Sequence, residues 1–399
     1  MQIPNPPVNV AVVHDWLVDR GGSERVLEQI LALFPAATLY TLIDFMAPEH
    51  KRRLGPRCIK TSFLQRMPGA RSHFTRYLPL MPLAIQQFDL SGHDLIISSS
   101  HCVAKGVITP PDALHLCYCH SPMRYAWDMQ GEYLRTEGLD RGVKTVLARW
   151  MFHRLRQWDV GSSNGVDHFA ANSRFVQQRI QKTWRRDAVV IHPPVDLAAP
   201  ERSGAPQTPS GAEAPRREKH YVTVGRLMGY KNAALMVEAF RLMPTRQLTV
   251  VGQGPQFDAL KRSAPGNVNL AGHLDETALR EQVQSATAFV FAAVEDFGIA
   301  PVEALALGTP VVAYARGGAM DYLVHGENAW LFQALTPQSL AAAIEASEPA
   351  WPADVGRRCR ASAARFGGDR FGAEFKAWVQ THWSQWQLAG AAMNAAAAG

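Results

Sequence analysis

Two glutamates, Glu295 and Glu303, bracket the run EDFGIAPVE. A carboxylate can accept two hydroxyl hydrogen bonds at once, which suits a diol. Glu295 follows an apolar strand-like run at 288–292, and Glu303 falls about one turn into the helix after it. Between them Phe297, Gly298 and Ile299 form a turn and a helix N-terminus, where free N–H groups and the positive end of the helix dipole favour a phosphate. The same spacing also occurs at ordinary acidic helix starts. Arg226 and Lys231, in VGRLMGYKN, put two cations just after a strand. Such a pair can clamp a diphosphate and stabilise it as a leaving group; taken alone it is equally a solvated surface pair. Gly21-Gly22 follows the first strand, and glycines let backbone N–H groups approach a phosphate or sugar closely. The pattern is not G-x-G-x-x-G, which argues against a dinucleotide site. His120 stands at the carboxyl end of the strand at 114–119, in CYCHSPMRYAWD, with Arg124 and Asp128 in the same run. His14, His101 and His115 read as structural.

Strands alternating with helices must carry these residues. Apolar, β-branched runs predict strands at 8–13, 38–43, 94–98, 114–119, 168–171 and 189–192. Helical spacing of Val26, Leu27, Ile30 and Leu31 predicts a helix from about 24, capped by Ser23. A second series predicts strands at 220–224, 247–251, 267–270, 288–292 and 310–314. Helices are expected near 275–285, 299–306 and 337–345. This βαβ rhythm, met twice, means two α/β domains with parallel sheets. Ligands of such sheets sit beyond the carboxyl ends of the strands, where the residues above fall. The run at 197–217 is rich in Pro, Ala, Gly and Ser and reads as a linker or insertion. The predicted division is 1–194, a linker at 195–219, 220–365, a terminal helix at 366–387 with Trp378, Trp383 and Trp386, and a frayed Ala-rich tail at 388–399.

The chain has 399 residues, 47% hydrophobic and 19% charged, with a formal net charge of +6. That is a mild basic bias without a nucleic-acid motif. Five scattered cysteines give no disulfide or metal framework and fit a reducing compartment. No secretory leader or long apolar span is read, so the expected location is the cytoplasm. The stretch 49–76 is different: eight Lys or Arg, a single acid at Glu49, and interleaved Phe63, Leu64, Met67, Phe74, Tyr77 and Leu78. Basic, aromatic and apolar residues together suit an anionic membrane surface, and the residues at 51–76 are the expected peripheral contact.

The run EDFGIAPVEALALGTPVVAYARGGAMDYLVHGENAWLF resembles the donor-site signature of the retaining glycosyltransferases of family 4. The resemblance covers most of the chain, is strongest at 8–30, 117–128, 221–232 and 289–332, and is broken by the Ala/Pro-rich segment. It implies the GT-B fold: two Rossmann-like domains facing across a cleft, with the last helix crossing back to the N-terminal, acceptor-binding domain. It implies transfer of a hexosyl group from a nucleoside diphosphate sugar to a hydroxyl, with retention and without a metal. Arg226 and Lys231 would then hold the diphosphate, Glu303 the ribose, and Glu295 the donor sugar. Phe297, Gly298 and Ile299 would add backbone contacts, and Gly21 and Gly22 would border the pyrophosphate. The His120 segment resembles that of bacterial mannosyltransferases of surface-polysaccharide pathways, which implies GDP-mannose as donor, His120 at the donor sugar, and Arg124 and Asp128 toward the acceptor. A polyprenyl-diphosphate-linked glycan is the implied acceptor. GDP-rhamnose, UDP-glucose or UDP-N-acetylglucosamine are alternative donors. A non-catalytic sugar-nucleotide-binding scaffold and an NAD-dependent enzyme are the alternative classes.

Overall fold

The computed structural model describes residues 9–136, 138–139, 141–197 and 219–397. Residues 198–217 of the run read as an insertion and the last two residues of the tail lie outside them. The chain forms two compact units: Met1–Pro194 together with Gly368–Gly399, and Val195–Gly367.

The first unit is built on a seven-stranded sheet. Its strands are β1 (Val10–His14), β2 (Thr38–Thr41), β3 (Ile59–Thr61), β4 (Leu95–Ser100), β5 (Leu114–Cys119), β6 (His168–Ala171) and β7 (Ala188–Val190). The order is β3-β2-β1-β4-β5-β6-β7 and every pairing is parallel. β4 and β5 are buried along their whole length, as a strand covered on both faces must be. On one face the helix Gly22–Leu33 sets Val26, Leu27, Ile30 and Leu31 into a core shared with Phe371, Phe375 and Trp378 of the terminal helix. The Tyr118 ring meets Phe371 and Phe375 edge-on, and its hydroxyl donates to the Ile191 carbonyl at 2.8 Å. These aromatic contacts bind the terminal helix to the first unit.

The second unit carries a six-stranded sheet. Its strands are β8 (His220–Val224), β9 (Gln247–Val251), β10 (Val268–Gly272), β11 (Ala288–Phe291), β12 (Val311–Tyr314) and β13 (Ala329–Phe332). They run in the order β10-β9-β8-β11-β12-β13, again all parallel.

Five sequence expectations change. The strands β3 and β13 were not expected. Both lie at sheet edges and are short: β3 is the three residues IKT, two of them exposed, and β13 the four residues AWLF. Short helical turns and β3 run through the basic stretch. Gly21, not Ser23, precedes the first turn of the helix Gly22–Leu33, because the Glu24 carboxylate takes the Gly21 N–H at 2.9 Å. Val195 belongs to the core of the second unit, not to a linker, and its N–H donates to the Phe366 carbonyl at 2.8 Å. The terminal helix runs Gly368–Ala397, past the expected fraying point, since alanine is the best helix former.

One buried ion pair fastens the long helix Val143–Ser162 to the first unit. Lys105, 1% exposed, reaches Asp159 at 3.0 Å and lies over the rings of Trp158 and Trp184. The Asp159 carboxylate also accepts from the indoles of Trp127 and Trp184, each at 2.8 Å. Removing one member leaves a charge stranded in the interior. Lys105→Met should therefore lower the stability of the first unit by about 3 kcal/mol, read as a shifted midpoint in urea unfolding followed by tryptophan fluorescence.

Candidate functional site

In a doubly wound sheet the chain leaves the centre in opposite directions, and a crevice opens where neighbouring strands send their loops apart. The second unit has that switch between β8 and β11. The loop after β8 carries Arg226 and Lys231, and the loop after β11 carries Glu295. All three line one shallow hollow, with Gly225, Ala293 and Met236. Lys231 and Glu295 form an ion pair across it, each side chain about one-fifth exposed. Arg226 is exposed beside them.

Backbone packing holds these loops with little room to spare. Gly225 N–H donates to Val251 at 3.0 Å and Leu227 N–H to Gln253 at 2.9 Å. A Cβ on Gly252 would come within 2.1 Å of the Gly225 carbonyl oxygen, and one on Gly254 within 2.7 Å of the Leu227 oxygen. The loop of Glu295 rests on Gly317-Gly318. Gly318 N–H donates to the Glu295 carbonyl at 2.8 Å, and a Cβ there would stand 1.9 Å from the Asp296 oxygen. The Phe297 side chain is buried against Tyr322 and Phe366. The Tyr322 hydroxyl donates to the carbonyls of Phe297 and Gly298. Burial, then the negative charges of Glu295 and Asp321, hold that phenol well above its ordinary pKa, so it stays a donor. Gly298 has φ +86°, and the helix Ile299–Ala306 starts directly after it. Glu303 lies on that helix, partly exposed.

The first unit switches between β1 and β4, and a polar cluster fills the carboxyl edge there. Asp15, fully buried, accepts the N–H groups of His101, Cys102, Val103 and Ala104 at 2.6–3.0 Å. It also meets His101 Nδ1 at 3.0 Å. Burial opposes its charge, yet His101 and His14 hold its pKa below the usual carboxylate range. Ser99 Oγ joins His120 Nε2 at 2.8 Å to His14 Nδ1 at 3.2 Å. His14 Nε2 faces Glu24 at 3.5 Å, and Glu24 in turn takes the Gly21 N–H and the Ser23 hydroxyl. Burial would raise the Glu24 pKa, but the hydrogen bond and charge of His14 win and lower it to about 2. Burial, then His101 and His14, lower His120 to about 3, so its imidazole is neutral near pH 7. Among the described residues no group of three or more His, Cys, Asp or Glu side chains is arranged to hold a metal ion.

Residues 207–349 match the family of glycosyl transferases, group 1. An alpha-1,3/1,6-mannosyltransferase of Neurospora crassa is 24% identical over 260 residues, 54% of this chain and 52% of the relative. A glycogen synthase of Mycobacterium tuberculosis is 31% identical over 238 residues, 57% of this chain and 55% of the relative. The chain thus spans about half the length of these curated relatives. A solved HepE of Anabaena, in complex with UDP, superposes on 94% of this chain and 100% of its own with TM-score 0.64 at 17% identity. That likeness is one of fold: the two α/β units are Rossmann-like domains of the GT-B fold.

The structure brings Arg226, Lys231 and Glu295 together and places Gly298, Ile299 and Glu303 on the adjoining turn and helix. Gly21 and Gly22 open the helix whose Glu24 reaches His14, and so adjoin the cluster of His120. Asp128 pairs with the buried Arg179 at 2.5 Å, and Arg179 also donates to Ser121 and Pro122. Asp128 thereby holds the loop that carries Arg124, half-buried. Sequence reasoning missed His14, Asp15, Glu24, Ser99 and His101 as members of the cluster. A signal was present: His14 ends β1 with Asp15 just after it, and Ser99 lies at the end of β4 with His101 just beyond, the two strands that flank the switch.

Two outcomes follow. His120 has a depressed pKa in the fold, so the stability it confers is present above its ordinary 6.5 and is lost as pH falls toward 3. His120→Gln should flatten the decline of melting temperature across that window. Gly318→Ala should cost about 1–3 kcal/mol, whereas Gly266→Ala, whose Cβ meets nothing within 4 Å, should leave stability unchanged; thermal unfolding of the two variants checks both.

Proposed function

We propose that the protein is a glycosyltransferase that moves a hexosyl group from a nucleoside diphosphate sugar to a glycan hydroxyl, with retention of configuration. The observation that carries this reading is the hollow at the switch between β8 and β11, where Arg226, Lys231 and Glu295 converge. Lys231 and Glu295 are paired with one another. A bound diphosphate offers Lys231 a doubly anionic partner and frees the Glu295 carboxylate for sugar hydroxyls. Arg226 adds a second cation. The turn at Phe297, Gly298 and Ile299 supplies helix N–H groups to the phosphates, and Glu303 takes the ribose diol. In the reaction the bond from the anomeric carbon to the diphosphate oxygen breaks, and the acceptor oxygen takes its place. The acceptor proton passes to the departing phosphate. Arg226 and Lys231 stabilise the charge that accumulates there, and no metal is required.

The favoured donor is GDP-mannose. Its supports are the run around His120 and the mannosyltransferase among the relatives; UDP in the Anabaena structure keeps UDP-sugars as the second reading. Neutral His120 is suited to hydrogen-bond a sugar hydroxyl without competing for the diphosphate. Gly21 and Gly22 would border the pyrophosphate, while Arg124, beside the Asp128–Arg179 pair, would face the acceptor. That acceptor is a polyprenyl-diphosphate-linked glycan, reached at the cytoplasmic membrane face through the basic stretch at 51–76. There Lys51, Arg52, Arg53, Lys60, Arg66, Arg71 and Arg76 are exposed, and Arg57 is bound to the Leu54 carbonyl.

Thermal shift against GDP, UDP, ADP, GDP-mannose, UDP-glucose and NAD, each with and without EDTA, tests the reading. A rise with GDP and GDP-mannose that EDTA leaves intact is expected. A rise with UDP ligands alone replaces the donor, and a rise with NAD alone overturns the class. Glu295→Ala should lower turnover about 10³-fold while GDP affinity stays nearly intact; wild-type turnover would remove Glu295 from the chemistry.

A further inference from the structure

The helix Val143–Ser162 buries Thr145, Ala148, Phe152, Leu155 and Asp159 against the first unit. The opposite face of a surface helix is ordinarily charged or polar. Here its first two turns present Val143, Val146, Leu147 and Trp150, which are 86%, 69%, 66% and 61% exposed. Their i, i+3, i+4, i+7 spacing sets them in one stripe. Among the described residues of the helix the exposed charges, Lys144, Arg149 and Arg154, are all cationic, and no Asp or Glu occurs from 141 to 158; Glu137 and Asp140, just before it, lie outside the described residues. The nearest acid after them, Asp159, is fully buried in its pair with Lys105.

We infer that this stripe is a membrane-docking face, which lies in the plane of an anionic lipid bilayer. Valine and leucine side chains would enter the acyl boundary, Trp150 would sit at headgroup depth, and the flanking cations would meet lipid phosphates. The inner face of the helix is committed to the core, so only half its circumference is available to lipid, and contact must be in-plane. Among the described residues no helix is long and apolar enough to cross a membrane. A second copy of the chain fits the stripe poorly, because a two-fold pairing would set the same cations against one another. The inference does not rest on the transferase reading and concerns residues other than those of the basic stretch at 51–76.

The test is flotation of the full chain, without nucleotide, on vesicles of phosphatidylcholine alone or mixed with phosphatidylglycerol. The chain should float with the mixed vesicles and far less with the neutral ones. A variant carrying Val146→Gln, Leu147→Gln and Trp150→Gln should lose partitioning by at least about tenfold with unchanged thermal unfolding, whereas Arg52→Gln with Arg53→Gln and Arg71→Gln should lose much less. Vesicles with brominated acyl chains should quench tryptophan emission, and Trp150→Phe should abolish most of that quenching. Flotation of the triple variant at the wild-type level, equal binding to both vesicles, or emission that bromolipid leaves unquenched would each overturn the proposal. So would a wild-type dimer that the triple variant converts to monomer without any vesicle binding by either.

Discussion

Where two parallel strands at the middle of a sheet send their chains in opposite directions, a crevice opens and its backbone groups must be satisfied from within. Both units meet this constraint, by different chemistry. In the first, a single carboxylate does it: Asp15 gathers four consecutive N–H groups at the end of β4 and so fixes the chain that carries His101. In the second, the backbone does it, with Gly252, Gly254 and Gly318 each against a carbonyl that a Cβ would strike. One crevice is rigid through a buried charge and the other through the absence of side chains.

The two solutions have different electrostatic consequences. In the first unit the negative charges are turned inward, onto N–H groups and imidazoles, so the cluster presents neutral His120 rather than an ion. In the second, the cation and the carboxylate are paired at the wall of the hollow, each about one-fifth exposed. A pair of that kind is readily rearranged by an incoming anion, since each side chain is only partly desolvated.

Most of the architecture was legible because buried parallel strands must be continuously apolar. The ends of β5, β6, β8 and β9 match the apolar runs residue for residue. The edge strand β3 escaped because Lys60 and Thr61 are exposed and break the pattern, whereas β13 was legible in principle, since Ala329–Phe332 is apolar throughout. The residues of the second crevice were legible because Glu295, Arg226 and Lys231 occur in runs with a familiar order. The cluster around His14 was not, since its members come from four separate segments and only the strand order brings them together. Ser99 is an extreme case: a buried serine in an apolar strand has no signature until the two imidazoles on either side of it are placed.

The terminal helix has a bearing on biogenesis. Phe371, Phe375 and Trp378 complete the core on which the helix Gly22–Leu33 packs, yet they follow the whole of the second unit in the chain. The second unit, continuous from Val195 to Gly367, has all its strands in hand before that point. The first unit is therefore completed only after the second has been made, and until then it carries an uncovered apolar face for chaperones to shield.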